Sequence, residues 1–344
     1  MYKKRKIKVL IVEDSMVFRE ALRIGLSSDP SIEVVDVVSD AYMARDKIIQ
    51  YRPDVMTLDV ELPKMNGIEF LKRLIPQYPI PVVVVSSATE KVYEALNAGA
   101  VDFVSKPSSK TGVESFINEL IVKIKIASIS NVGYLKSNYL NTPNNKVELF
   151  KSNINIIAIG ASTGGTEALE KVLKNLPREI PGIIVVQHMP PVFTKMYAER
   201  LNNSCIIEVK EAESGDKVLP GRALIAPGGK HMKVIRDGNY YAVQCFEEEK
   251  VNGHCPSVDV LFYSVSEVCN NKAMGVILTG MGHDGASGLL NMRKKGARTL
   301  GQDEESCIVY GMPKVAYEIG AVEKQVSLND MPREILNILK EVEK

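Results

Sequence analysis

The chain has 344 residues, 45% hydrophobic and 25% charged, with a formal net charge of +1. That length accommodates two domains with separate cores, the composition is that of an ordinary globular protein, and the near-neutral balance gives no electrostatic footprint for nucleic acid. No apolar run reaches the roughly 18 residues that span a bilayer, and the basic start Met1–Lys6 reads as a solvated strand end rather than a secretory signal or anchor.

In chain order, the first elements are apolar runs that stop at polar residues. Ile7–Val12 ends in Glu13-Asp14, Val55–Leu58 ends in Asp59, and Val82–Val85 ends in Ser86. Val101–Ser105 ends in Lys106-Pro107, a candidate cis bond, and Val113–Ile126 carries apolar residues at helical spacing. In a parallel α/β sheet the ends of neighbouring strands converge on one crevice. Three carboxylates, a hydroxyl and an ammonium are therefore expected together there. Clustered carboxylates repel unless a cation sits among them, and oxygen ligands suit Mg²⁺. A lysine facing the metal completes a phosphate-sized pocket.

Together with Asp59-Val-Glu-Leu-Pro-Lys-Met-Asn-Gly67, these residues resemble the receiver domains of two-component response regulators over about residues 6–126. The resemblance implies a flavodoxin-like (βα)5 fold in which Asp59 accepts phosphate from a histidine kinase. It implies that Glu13, Asp14, Asp59 and the backbone carbonyl of Glu61 hold Mg²⁺, with Glu13 acting through the metal's water shell. Ser86, Phe103 and Lys106 are then the residues that respond to the phosphoryl group.

Residues 128–152 are rich in Ser and Asn, include Pro143 and show no clean period, so they read as a linker. Tyr134, Leu135, Leu149 and Phe150 are candidates to lie against either domain. The expected division is thus 1–127, 128–152 and 153–344.

Next comes Ile154–Ile159, then Gly160-Ala-Ser-Thr-Gly-Gly165, then the amphipathic segment Glu167–Leu176. A serine on a glycine-rich strand-to-helix turn is exposed, and the N–H groups of the helix start face the same space. That points to acyl transfer at Ser162. A nucleotide-binding turn fits less well, because the middle glycine of that fingerprint is replaced by Ser162 and no P-loop Lys-Ser/Thr pair is present. A plain tight turn remains the alternative until a base and its orienting group are found. His188 follows the run Ile183–Val186, and Asp284 lies just beyond Met274–Leu278. Three strand ends thus bring Ser, His and Asp to one edge. Their chain order differs from the Ser–Asp–His order of α/β-hydrolases.

Gly160–Gly165, Gln187-His-Met-Pro190, Ala226–Met232, Pro256-Ser-Val-Asp259, Leu278–Ala286 and Gly311-Met-Pro313 together resemble the chemotaxis protein-glutamate methylesterases, the CheB family. The likeness implies a doubly wound, mostly parallel α/β domain and a serine esterase with Ser162 as nucleophile, His188 as general base and Asp284 as orienting carboxylate. Met281, through its N–H, and Thr163 then form the oxyanion site and wall, and the esterase domain needs no cofactor. It further implies hydrolysis of glutamyl methyl esters on methyl-accepting chemoreceptors, deamidation of receptor glutamines, and a cytoplasmic protein recruited to receptor arrays without membrane insertion. The family's usual Arg is Cys255 in this chain, in Asn252-Gly-His-Cys-Pro-Ser-Val-Asp259, which places docking of an acidic substrate segment in question rather than the chemistry.

Bland readings apply elsewhere. Cys205, Cys245, Cys255, Cys269 and Cys307 are expected as reduced thiols in or near the core, and a His254-Cys255 zinc pair lacks further ligands at metal spacing. His231 and His283 read as wall or hydrogen-bonding residues, and Met189, Met281 and Met312 as pocket walls. Two other functions compete: a catalytically silent receiver-regulated binding module, and a DNA-binding regulator. The intact Ser/His/Asp set opposes the first; the lack of a helix-turn-helix or basic surface opposes the second.

Overall fold

The computed structural model describes residues 5–87, 89–107, 112–132 and 153–341. The chain separates into two compact units, Met1–Ser137 and Asn138–Lys344. Tyr134, Leu135, Leu149 and Phe150 lie outside the described residues.

The first unit alternates β1 (Ile7–Val12), α1 (Met16–Ser27), β2 (Ile32–Val38), α2 (Ala41–Tyr51) and β3 (Val55–Asp59). It continues with α3 (Gly67–Leu74), β4 (Val82–Ser86), α4 (Thr89–Asn97), β5 (Asp102–Ser105) and α5 (Val113–Ala127). Helices start where short polar side chains take up a free N–H: Asp40 Oδ1 accepts from Met43 N at 2.9 Å, and Asn66 Oδ1 from Glu69 N at 2.8 Å. β3 and β4 are buried along their whole length, as expected of strands covered on both faces. The sheet is parallel with order β2-β1-β3-β4-β5. This is the flavodoxin-like order, whose switch point lies between β1 and β3.

The second unit runs β6 (Ile156–Ala161), α6 (Gly165–Leu173), β7 (Gly182–Gln187), α7 (Phe193–Ser204), β8 (Glu208–Glu211) and β9 (Arg222–Ile225). The hairpin strands β10 (His231–Asp237) and β11 (Tyr240–Phe246) follow, then α8 (Val258–Cys269), β12 (Ala273–Ile277), α9 (Ala286–Lys294) and β13 (Arg298–Gln302). α10 (Met312–Glu318), β14 (Lys324–Val326) and α11 (Met331–Lys340) complete it. The order β14-β13-β12-β6-β7-β9-β8 is parallel at every pairing. β10 and β11 form a separate antiparallel two-stranded sheet, and Ala242 of β11 is also bridged by Lys217. From β6 the chain steps outward through β7 on one side and returns through β12 on the other. The switch point therefore falls at the C-terminal ends of β6, β7 and β12, where a doubly wound sheet opens a crevice. β6, β7 and β12 are wholly buried, and Val258, Leu261 and Phe262 of α8 pack in the same core.

Candidate active site

Ser162 follows the last residue of β6. Its N–H donates to Thr279 O (3.0 Å), while its carbonyl accepts from Gly165 N (2.7 Å) and from Gln187 Nε2 (2.9 Å). The turn needs a left-handed residue at Gly164, where φ is +77°, and a Cβ there would meet Ile308 Cβ at 2.6 Å. The left-handed backbone and the close Ile308 side chain together explain the glycine. Thr163 is buried and its carbonyl accepts from Thr279 Oγ1 at 3.0 Å. Ala161 pairs in register with Gln187, and His188 N donates to Ala161 O at 3.1 Å. Ser162 and His188 thus leave adjacent strands side by side.

His188 Nε2 donates to Asp284 Oδ2 at 2.8 Å, with the two side chains only 7% and 1% exposed. Asp284 is further held by Ser257 Oγ (2.7 Å), Val258 N (2.7 Å), Asn252 Nδ2 (2.9 Å) and Asp259 N (3.2 Å). Ser257 caps α8, so the carboxylate sits against the positive end of that helix. Burial works to raise the Asp284 pKa, but the hydrogen bond and charge of His188, with the bonds from Asn252 and Ser257, outweigh it and hold the carboxyl well below the usual range. An ionised acceptor at Nε2 fixes the proton there and leaves Nδ1 as the basic nitrogen. Nδ1 is buried and bonds no group among the described residues.

Met281 is 41% exposed, and among the described residues its N–H meets no acceptor. The neighbouring Gly280 is pinned, its N–H on Val309 O and its carbonyl accepting from Gly311 N and Met312 N. Met189 and Met312 are buried, so of the three methionines expected to line the pocket only Met281 reaches the surface to this degree. His283 is exposed. His231 is fully buried with both ring nitrogens used, Nε2 donating to Glu249 O (2.9 Å) and Nδ1 accepting from Ser257 N (3.2 Å). It anchors the α8 cap and has no nitrogen free for proton transfer. The five cysteines are free, and burial pushes the Cys307 thiol far up.

Two neighbours of the site were not assigned a role from sequence. Asn252 joins two carboxylates through one amide, donating to Asp284 and to Asp259 Oδ2 (2.7 Å). His254 stacks on His188 rather than pairing with Cys255 as a metal ligand. The Asn-Gly dipeptide at 252–253, a hairpin-turn signal, was the available clue.

In the first unit, Lys106 Nζ lies 2.6 Å from Asp59 Oδ2 and 2.8 Å from Glu13 Oε2. Glu13, Asp14 and Asp59 each offer an oxygen within 4.8 Å of the others. Burial, reinforced by the Asp59 charge, pushes the Glu13 carboxyl up despite the opposing Lys106 bond. One ammonium thus leaves the cluster short of positive charge, and an all-oxygen donor set fits a hard divalent cation. Glu61 N donates to Asp59 Oδ1 (3.0 Å) while its side chain pairs with Lys91 (2.9 Å), away from the cluster. Ser86 is buried at the end of β4, its carbonyl accepting from Lys106 N, and Phe103 is buried with Lys123 Nζ 5.4 Å from its ring centre. The Phe18 ring under Lys106, 4.9 Å away, and the Arg19 guanidinium on the carbonyls of Glu13 and Asp14 are contacts that sequence reading missed. One expectation is corrected: the cis bond among the described residues is Cys255–Pro256, and Lys106–Pro107 is not cis. Lys106 reaches both carboxylates without it.

Residues 157–335 match the family model for the CheB methylesterase, and residues 9–118 match that for the response regulator receiver domain. A protein-glutamate methylesterase/protein-glutamine glutaminase from Syntrophomonas wolfei is 56% identical over 98% of this chain and 99% of its own. One from Syntrophotalea carbinolica is 52% identical over 98% and 99%. The solved Thermotoga maritima CheB methylesterase catalytic domain is 36% identical, superposes with a TM-score of 0.53, and covers 54% of this chain and 98% of its own. A receiver match and a methylesterase match in one chain, with relatives of the same length, leave one conclusion: the chain belongs to the CheB methylesterase family, with an N-terminal receiver domain joined to a C-terminal catalytic domain.

Proposed function

We propose that this chain is a phosphorylation-gated serine esterase that removes methyl groups from glutamyl esters of chemoreceptors and deamidates receptor glutamines, providing adaptation in chemotaxis. The observation that carries the reading is the buried His188–Asp284 pair with Nδ1 unbonded, beside the strand end that bears Ser162. Nδ1 takes the Ser162 proton as Oγ attacks the ester carbonyl. The oxyanion that forms lies by the Met281 N–H, and Thr163 belongs to the wall of the same site. His188 returns the proton to the departing methoxide, methanol leaves, and a glutamyl-serine ester remains. Water, deprotonated by the same nitrogen, cleaves that ester to glutamate and restores Ser162. A glutamine substrate enters the same cycle and loses ammonia instead of methanol.

The receiver domain, taken as residues 1–127, is joined to the catalytic domain 153–344 by the linker 128–152. Asp59 accepts phosphate from a chemotaxis histidine kinase. Asp14, Asp59 and the Glu61 carbonyl would hold Mg²⁺, with Glu13 acting through its water shell, and the ion would supply positive charge to neutralise the phosphoryl group. Lys106 pairs with the phosphate, while Ser86 and Phe103 shift in response. Phosphorylation moves the balance between closed and open arrangements of the catalytic crevice. The setting is cytoplasmic, at receptor arrays, and no helix of the described residues is long and apolar enough to cross a membrane.

The test is methanol release from methylated chemoreceptor membranes, with and without a small phosphodonor plus Mg²⁺, for the native chain, Ser162→Ala and Asp59→Asn. Donor-stimulated release is expected in the native chain, only basal release in Asp59→Asn, and none in Ser162→Ala. Undiminished release by Ser162→Ala refutes the nucleophile. No release by the folded native chain on its cognate receptors leaves a silent binding module.

A further inference from the structure

We propose that His254 is a positioning residue for the base: the flat face of its imidazole holds the His188 ring in the plane that keeps Nε2 on Asp284 and leaves Nδ1 for the serine. The inference rests on the esterase reading above and adds to it a part of the machinery outside the Ser/His/Asp set.

The two rings lie face to face, 3.7 Å between centroids and 9° between planes. His188 has a single side-chain hydrogen bond, at Nε2, and a buried Nδ1 with no partner among the described residues. A ring held at one edge swings about that bond, and each swing carries Nδ1 away from the serine. A second ring stacked on its face removes that freedom without using the nitrogen. A hydrogen-bonding shelf would have blocked the base.

A shelf of this kind works only while it stays uncharged, because His188 gains a proton in every cycle. His254 meets the condition: burial first, then the neighbouring His188, push its pKa down to about 4, with Lys250 and His283 adding to the fall and Asp284 opposing it. These are the charged and titratable groups that face it, from the loops after β7 and β12 and from its own segment. At neutral pH one ring therefore cycles protons while the other does not.

His254 is delivered by a tight turn. Val251 and His254 exchange both backbone hydrogen bonds at 3.0 Å, and Asn252 and Gly253 between them take φ of 54° and 83°. That is the geometry Asn-Gly adopts most readily. The same turn sends the Asn252 amide to Asp284 at 2.9 Å. One four-residue turn thus steadies the base by its ring and the acid by its amide.

The full-length chain is assayed for methanol release with phosphodonor and Mg²⁺, comparing the native protein with His254→Ala, His254→Phe and the Ser162→Ala control. His254→Ala is expected to lower kcat about tenfold, the scale of a lost aromatic stack. Its KM stays within about twofold, as for an interaction made in the transition state. His254→Phe, still flat and uncharged, retains activity within about threefold of native. Native kcat in His254→Ala overturns the proposal. So does a His254→Phe enzyme that melts like native yet is as slow as the alanine variant. Should His254→Ala fail to fold, His254→Leu takes its place, filling the volume without a flat face. Release that persists in Ser162→Ala indicts the esterase reading itself rather than the shelf.

Discussion

Replacing Asp284 by Asn tests the site where it is most tightly bound. Oδ1 accepts from Asn252, Ser257 Oγ and Asp259 N, and Oδ2 accepts from His188 and Val258 N. An amide must put its NH₂ on one of these sides. The less costly choice is the Oδ2 side, where it faces two donors rather than three. A hydrogen bond to a charged group contributes about 1.5–3 kcal/mol, so losing both costs about 3–6 kcal/mol. His188 can recover one bond by moving its proton to Nδ1 and accepting at Nε2, which lowers the cost to roughly 1.5–3 kcal/mol. That rescue has a chemical consequence: Nδ1 now carries the proton and cannot take another from Ser162. The variant should therefore fold, melt below the native protein, and lose about 10⁴ in kcat, the size of a tautomer block in a triad. The pH dependence of its stability also has a fixed sign. Because the folded state depresses the Asp284 pKa, the native side chain contributes stability above its ordinary value of about 3.9. That contribution is lost as pH falls through the depressed value. The stability gap between native and variant should then narrow in acid. Urea melts from pH 7 to pH 3, beside methanol release at pH 7, measure both effects. An Asp284→Asn enzyme that folds and keeps activity within about tenfold of native would refute the assignment of Nδ1 as the base.

Two further outcomes follow from the same geometry. Mg²⁺ at ten times its dissociation constant should stabilise the receiver domain by about 1.4 kcal/mol. Asp14→Asn should abolish that gain in a calorimetric scan, and an unchanged response would remove Asp14 from the metal site. Gly164→Ala combines a left-handed φ with a 2.6 Å approach to Ile308, so a loss of about 2–4 kcal/mol is expected, with kcat falling more than KM rises. A native-like melt for that variant would show that the turn relaxes freely and that Gly164 is not required by backbone geometry.

Much of this protein was legible in its sequence because strand ends are. Runs such as Val9–Val12, Val82–Val85 and Ile183–Val186 are apolar and buried throughout, as strands covered on both faces must be, and the first polar residue after them marks the edge. Parallel sheets gather those edges, so Glu13, Asp14, Asp59 and Lys106 could be grouped, and likewise Ser162, His188 and Asp284, before any coordinates. His188 and Asp284 meet at 2.8 Å although they are 96 residues apart.

What surrounds these groups came from the folded chain. That β12 lies beside β6, opposite β7, follows from strand order, which no local pattern encodes. The α8 N-terminus on Asp284, His231 beneath the α8 cap, and the Asn252–His254 turn over the dyad depend on which surfaces pack together. In sequence His254 was weighed only as half of a zinc pair with Cys255, because its neighbour in space, His188, is distant along the chain. Residue order alone settles which groups stand at the edge of each sheet, since burial of a strand dictates its residue types locally. Packing settles how those groups are oriented, charged and shielded, since hydrogen-bond partners, stacking faces and desolvation arise between segments that meet only when the chain is folded.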